Sequence, residues 1–112
     1  MNIAINVVED RVGGGLGRAQ TMAIADVEDG EIVSWTPYPV GWDVSHQLVE
    51  AGETTSGSHH ATIVRFMREH DVAAVVTGHA GPPMVHTLGL MGIPVIEAVG
   101  DARQAALAAA AG

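Results

Sequence analysis

The stretch Asp71–Pro83, DVAAVVTGHAGPP, decides the fold, because a short apolar run leads directly into a glycine-bounded turn that carries a histidine. Val72–Val76 is continuous, rich in valine and too short for an ordinary helix, which is typical of a strand buried on both faces. The proline pair after His79 favours the start of a helix. A strand, a turn and a helix N-terminus in this order form the crevice at which open α/β sheets bind ligands. We therefore predict a binding site at this turn.

Outward from this stretch, apolar runs and turn residues predict further strands. Asp29-Gly30 separates two of them and supplies the positive φ angles of a tight hairpin turn. The five predicted strands are Asn2–Val8, Thr21–Val27, Glu31–Trp35, Asp71–Val76 and Ile93–Ala98.

Apolar residues at helical spacing predict helices between and after the later strands. Ser58 is the expected N-cap of the first helix. The segment Thr36–Gly57 is irregular, with a helical turn from Asp43 to Glu50 and a polar loop from Gly52 to Gly57. The three predicted helices are His59–His70, Pro83–Met91 and Ala102–Ala110. The order of elements predicts one α/β domain over residues 1–112, with a mixed sheet of about five strands and three helices.

Composition excludes several classes of function. The 112 residues contain no cysteine, which removes disulfides and any protein thiolate ligand for a metal. Thirteen acidic residues against five basic ones give a formal charge of -8, which disfavours nucleic acid and anionic membranes as partners. The N-terminus lacks the pattern of a signal peptide and no apolar run is long enough to span a bilayer, so we expect a cytoplasmic protein.

Four motifs carry a family resemblance: the Gly17-Arg18 turn, the hairpin DVEDGEI, the turn VVTGHAGP and the strand GIPV. Together they resemble the dinitrogenase iron-molybdenum cofactor biosynthesis family, which includes NifX-like and NafY-like accessory proteins. The similarity extends from Asn2 to Ala110. It implies a ribonuclease H-like α/β fold and a protein that binds or carries iron-molybdenum cofactor or its iron-sulfur precursors without catalysing a reaction.

The resemblance also implies which residues contact a cofactor. Arg18 completes the second half of the family's His-Phe-Gly-Arg turn, although Gly15-Leu16 stands where His-Phe would be. Gly78 and Gly81 match the glycines that follow the family's fourth strand. We therefore expect Arg18, Gly78 and Gly81 to be cofactor-binding residues.

Four histidines are candidate metal ligands, because neutral imidazole binds zinc, copper, iron and nickel. They are His46, His59, His60 and His79. Neighbouring residues on a helix point about 100° apart, so His59 and His60 are not expected to ligate the same single ion. The alternative is that these histidines have structural roles, with His59 a polar residue of a helix first turn and His79 bonded to a loop carbonyl. The expected cargo is a metal cluster of the iron-molybdenum or iron-sulfur type, or a divalent metal ion.

Three functions remain open. The first is a non-catalytic accessory protein that exchanges a metallocluster with donor and acceptor proteins. The second is a metal-free interaction or regulatory module, in which Trp35, Tyr38 and Trp42 act as interface anchors, unless they form a local core instead. The third is a metal-dependent hydrolase, although no serine or cysteine nucleophile motif is present. The oligomeric state is either a monomer or a dimer.

Overall fold

The computed structural model describes residues 1–53 and 55–112, which form six strands and four α-helices around one mixed sheet. The strands are β1 (Asn2–Val8), β2 (Arg11–Val12), β3 (Met22–Glu28), β4 (Glu31–Tyr38), β5 (Val72–Thr77) and β6 (Val95–Glu97). The α-helices are α1 (Trp42–Glu50), α2 (Ser56–Glu69), α3 (Pro82–Leu90) and α4 (Ala102–Ala111). A single 3-10 turn, Leu16–Arg18, lies between β2 and β3. The predicted α/β class is confirmed, with one more strand and one more helix than expected.

The sheet has the strand order β4-β3-β1-β5-β6, with β2 paired to β1. β1, β3 and β4 are antiparallel neighbours, whereas β1, β5 and β6 run parallel, with Ile5 opposite Val76 and Val76 opposite Ile96. The crossover from β5 to β6 passes through α3, as a parallel connection requires. The carboxyl ends of β1, β5 and β6 consequently meet at one edge of the sheet, where the glycine-bounded turn begins.

Two tight turns set the antiparallel part of the sheet. Asp29 and Gly30 have φ angles of 52° and 78°, which confirms the predicted hairpin between β3 and β4. Glu9 and Asp10 form a second turn of this kind, with φ angles of 49° and 68°, and they lead into β2. The strand β2 was not predicted, because the turn before it lacks the glycine that normally marks a hairpin.

Each face of the sheet has its own core, because successive side chains of a strand point to opposite faces. Ala4 and Val75 point to the face covered by α1, α2 and α3. Ile3, Ile5 and Val76 point to the face covered by α4. The crevice described below lies on the first of these faces.

Several predicted boundaries were wrong. α2 begins at Ser56, three residues earlier than expected, because Thr55 and not Ser58 is its N-cap: the Thr55 hydroxyl accepts a hydrogen bond from the Ser58 backbone N–H at 3.0 Å. The predicted loop Gly52–Gly57 therefore ends before Ser56, and its residue Thr54 lies outside the described residues. β4 continues through Pro37, which an edge strand tolerates because one side of its backbone needs no partner.

The irregular segment contains a complete helix, α1, whose first residue is Trp42. Trp42 is buried and packs edge-on against Phe66 at 5.4 Å between ring centroids, and Tyr38 packs on the same ring at 5.8 Å. These two aromatic residues belong to the core, as the local-core alternative predicted. Trp35 lies on the other face, with the Arg103 guanidinium 4.4 Å from its ring centroid.

No helix in the described part of the chain is both long enough and apolar enough to cross a bilayer.

Candidate functional site

A crevice of about 490 Å³ opens at the carboxyl end of the parallel strands. Its walls come from the 3-10 turn, α1, the first turn of α2 and the start of α3, and they are mostly apolar. Crevices of this size and character are typical of small-molecule and cofactor sites. The lining residues are Leu16, Gly17, His46, Ser56, Gly57, His59, His60, Ile63, Ala80, Gly81, Pro83 and Met84.

His59 has a defined tautomer in this crevice. Its Nε2 atom lies 2.8 Å from the backbone oxygen of Gly17, and since a carbonyl only accepts, Nε2 must carry the proton and donate it. The neutral ring therefore keeps its lone pair on Nδ1. Nδ1 is buried and has no hydrogen-bond partner among the described residues. A buried acceptor without a partner costs about 1–3 kcal/mol, so Nδ1 is an unsatisfied acceptor among the described residues.

His60 adopts the same tautomer through a different partner. Its Nε2 lies 3.1 Å from the Thr87 hydroxyl oxygen, and that hydroxyl donates its own hydrogen to the backbone oxygen of Pro83 at 3.0 Å. The Thr87 oxygen is therefore the acceptor and His60 Nε2–H is the donor. The lone pair of the neutral His60 ring again lies on Nδ1.

His46 follows the same pattern from the opposite wall. Its Nε2 lies 3.0 Å from a carboxylate oxygen of Glu50, one helical turn later on α1, and its ring centroid is 6.0 Å from that of His59. Glu50 also lies 3.6 Å from the Arg18 guanidinium, although both of these side chains are exposed. All three crevice histidines thus donate Nε2–H to the protein, and in the neutral ring Nδ1 carries the lone pair. Metal-ligating histidines characteristically bind a metal through one ring nitrogen and donate the other N–H to a carboxylate, carbonyl or similar group.

His79 is not brought into this group. It is exposed and is absent from the lining of the crevice, whereas the following residues, Ala80 and Gly81, do line it. Its backbone has a structural role: the His79 N–H donates to the Gly14 oxygen at 3.0 Å, and the His79 oxygen accepts from Leu16 N–H at 2.8 Å. These bonds join the turn after β5 to the glycine-rich loop before the 3-10 turn.

No three histidine, aspartate or glutamate side chains within residues 1–53 and 55–112 are arranged to hold one metal ion. The nearby Asp43 carboxylate accepts a hydrogen bond from the Gln20 side chain at 3.2 Å. The crevice therefore presents separate imidazoles on opposing walls and no preformed single-ion cage.

The three residues predicted to contact a cofactor occupy different places. Gly81 lines the crevice as the N-cap of α3. Gly78 permits a close backbone approach, because a Cβ atom there would lie 2.5 Å from the Gly13 oxygen. Arg18 is exposed beyond the crevice lining, beside Glu50.

Sequence reasoning missed two polar residues beneath the site, Asn6 and Thr77. Both side chains are almost fully buried, at 1% and 0% exposure, at the carboxyl ends of β1 and β5. The Asn6 amide donates toward the Gly15 oxygen at 3.1 Å and the Thr77 hydroxyl oxygen at 3.2 Å. A polar residue at the end of an otherwise apolar strand was the available signal, since buried polar groups need partners.

Comparison with known proteins decides the family. The family model described as dinitrogenase iron-molybdenum cofactor matches residues 1–112. The chain belongs to this dinitrogenase iron-molybdenum cofactor family. The resemblance inferred from the sequence motifs is confirmed. No protein with a curated description matches the chain.

Solved structures support the fold of this family member. The crystal structure of PH0822 superposes with a TM-score of 0.70 at 17% identity, over 93% of this chain and 85% of that one. A crystal structure from Methanocaldococcus jannaschii, provisionally named a dinitrogenase, gives a TM-score of 0.61 at 16% identity over 90% and 78% of the two chains. An NMR structure from Thermotoga, provisionally named a NifB protein of the DUF35 family, gives 0.63 at 20% identity over 99% and 88%. At these identities the similarity establishes the fold alone.

Proposed function

We propose that the protein is a small, non-catalytic accessory protein that carries a metal cluster of the iron-molybdenum or iron-sulfur type in the crevice. The observation that carries this proposal is His59, whose Nε2–H is held by the Gly17 carbonyl while its buried Nδ1 has no partner in the described structure. This arrangement prepares one ring nitrogen for a metal before any metal binds. The choice of a metal cluster as the cargo rests on membership of the dinitrogenase iron-molybdenum cofactor family.

A cluster suits the crevice better than a single ion does. A single ion needs three or four ligand atoms around one point, and that convergence is not found among the described residues. A cluster instead presents several metal corners separated by a few ångströms and brings its own sulfides. His46 and His59, whose ring centroids are 6.0 Å apart, can then contact different corners of one cargo.

The amino-acid composition is consistent with a protein that binds a metal cluster only transiently. The chain contains no cysteine, so no protein thiolate can form the strong cage that retains iron-sulfur clusters permanently. Two or three imidazole contacts hold a cargo more weakly and allow its transfer. The expected partners are therefore proteins that donate a metallocluster to this chain or accept one from it.

The remaining predicted site residues enter the proposal with different roles. Gly81 would contact the cargo through its backbone from the crevice wall. His79 and Arg18, both exposed, would reach it only from outside the lining. Gly78 would act indirectly, by letting the turn approach the Gly13 backbone.

A metal-free docking module is the second candidate, and a feature of α1 favours it. Val44 and Leu48 lie one helical turn apart and are 56% and 38% exposed, on the helix that also carries His46. Exposed apolar pairs of this kind suit contact with another protein. In this reading the crevice would be a recess beside a protein interface and would bind no metal.

Anaerobic reconstitution separates the two candidates. Untagged protein is incubated with a synthetic [4Fe–4S] cluster, desalted and analysed for iron and sulfide, beside His59→Gln and His86→Gln variants. Glutamine retains an N–H that can donate to the Gly17 carbonyl but removes the imidazole, and His86 is an exposed histidine on α3 that serves as the matched control. The proposal predicts stoichiometric iron in wild type and in His86→Gln and its loss in His59→Gln. No iron in wild type would favour the docking module, whereas equal iron in all three samples would overturn the role of His59 in holding the cluster.

A further inference from the structure

We infer that Asn6 and Thr77 are positioning residues that fix the His59 imidazole in its metal-ready tautomer, through the loop Gly13–Gly17. This inference rests on the proposed function, because it concerns how that same crevice is prepared for its cargo. The two residues act from beneath the crevice and are not among its lining residues.

The first step concerns where the two side chains point. Asn6 lies on β1 two residues after Ala4, and Thr77 lies on β5 two residues after Val75, so both face the side of the sheet covered by α1, α2 and α3. β1 and β5 are parallel neighbours, with Ile5 opposite Val76. The two polar side chains therefore meet at the carboxyl end of the sheet, directly under the glycine-rich loop.

The second step concerns the hydrogen bonds by which Asn6 and Thr77 hold the glycine-rich loop. The Thr77 hydroxyl donates to the Gly14 oxygen at 2.9 Å, and the Asn6 amide donates to the Gly15 oxygen at 3.1 Å. The Asn6 amide also donates to the Thr77 hydroxyl oxygen at 3.2 Å, which links the two residues into one network. Both donors are buried side chains, and each loop carbonyl also accepts a backbone N–H, Gly14 from His79 at 3.0 Å and Gly15 from Arg18 at 3.1 Å. Losing a donor therefore removes one of the hydrogen bonds that hold each carbonyl in place.

The third step connects the loop to His59. Gly17 follows Gly15 by two residues, at the centre of the 3-10 turn, and its carbonyl accepts the His59 Nε2–H at 2.8 Å. If the Gly17 carbonyl moved, His59 would lose the hydrogen bond that keeps its proton on Nε2 and off Nδ1. The ring would then populate both neutral tautomers, and Nδ1 would carry the proton for part of the time. A metal cannot bind the protonated nitrogen, so the effective affinity would fall.

The test uses conservative variants and a matched control on the same strand. Thr77→Val removes the hydroxyl at nearly constant shape, Asn6→Ala removes the amide, and Thr77→Ser restores a hydroxyl. Asn2→Ala is the control, because the Asn2 amide donates to the His70 oxygen at 2.8 Å at the opposite end of β1. All variants are compared at a temperature where circular dichroism shows each of them folded.

The first readout needs no cargo. Two-bond ¹H–¹⁵N NMR of the imidazole nitrogens at pH 8, where histidine is ordinarily neutral, reports the tautomer of His59, with its signals assigned from His59→Gln. Wild type, Thr77→Ser and Asn2→Ala should show the Nε2–H form, whereas Thr77→Val and Asn6→Ala should show a mixture. An unchanged Nε2–H tautomer in the folded Thr77→Val and Asn6→Ala proteins overturns the inference, as does a mixture in wild type.

The second readout is anaerobic titration with the synthetic [4Fe–4S] cluster. Because the apparent affinity falls in proportion to the fraction of protein in the Nε2–H form, we expect a loss of about twofold where the two tautomers are equally populated, in Thr77→Val and Asn6→Ala but not in Asn2→Ala. A tautomer shift with unchanged affinity overturns the role in cargo binding. If wild type binds no cluster, the proposed function fails, while the NMR readout still decides whether Asn6 and Thr77 position His59.

Discussion

Replacing Gly78 with alanine should destabilise the protein because the turn after β5 leaves no space for a side chain. The new Cβ would lie 2.5 Å from the Gly13 oxygen, so the two backbones must separate by about 0.9 Å to reach an ordinary contact distance of 3.4 Å. That shift would disrupt the hydrogen bond from Gly78 N–H to the Gly13 oxygen, now 2.8 Å, and the adjacent bond from His79 to Gly14. The two lost backbone bonds, at about 0.5–1.5 kcal/mol each, and overpacking of about 1–3 kcal/mol together give an expected loss in the free energy of unfolding of about 2–6 kcal/mol.

Urea unfolding followed by circular dichroism measures this loss, with Gly14→Ala as the matched control. No atom lies within 4 Å of a Cβ placed at Gly14, and its φ is not positive, so its free energy of unfolding should change by less than about 0.5 kcal/mol. Gly78→Ala should also shift the amide NMR signals of Gly13–Leu16, since the turn is bonded to that loop. A Gly78→Ala protein as stable as Gly14→Ala would refute the claim that this turn requires a close backbone approach.

Three further predictions address other parts of the fold. Gly89→Ala, in the last turn of α3 with open space around it, should raise the free energy of unfolding by up to about 1 kcal/mol in urea melts. Leu88→Ala should lower it by about 2–5 kcal/mol because Leu88 is fully buried, whereas Leu90→Ala on the same helix, where the side chain is 76% exposed, should stay within about 0.5 kcal/mol. Hydrogen bonds to Glu28 and Asp26 raise the pKa of the Met1 amine above its usual value of 8.0, so their contribution to stability is full below pH 8 and fades as the pH rises through the folded-state pKa. A Glu28→Gln variant should therefore lose stability below pH 8 and approach wild type above the folded-state pKa, and parallel pH profiles of the two proteins would contradict this.

Local patterns predicted the elements whose signals are contained in a few residues. Asp29-Gly30 specified its hairpin because both φ angles must be positive there, and the valine-rich run after Asp71 specified β5. The start of α2 was wrong because Thr55 and Ser58 are both good N-caps and only the hydrogen bond to the Thr55 hydroxyl distinguishes them. β2 was missed because its turn, Glu9-Asp10, is stabilised by the pairing of Val7 with Val12 and not by a glycine.

The site was predictable in its residue types and not in its geometry. His46, His59 and His60 line one crevice, but their spacing in the sequence gives no distances between helices. The orientation of His59 depends on the Gly17 carbonyl, which is 42 residues away along the chain. His79, the histidine with the most suggestive local sequence, contributes its backbone to the Gly14 and Leu16 contacts while its side chain stays outside the crevice lining.

The most direct test of the account is whether a histidine nitrogen binds the cargo. Electron spin-echo envelope modulation of the protein carrying a reduced [4Fe–4S] cluster detects nitrogen bonded to iron, and selective ¹⁵N labelling of histidine identifies its source. We predict a histidine nitrogen coupling in wild type and in His86→Gln, and in His59→Gln either no bound cluster or a weaker coupling. A bound cluster with no histidine coupling, or a coupling unchanged in His59→Gln, would contradict the claim that His59 Nδ1 is the prepared ligand.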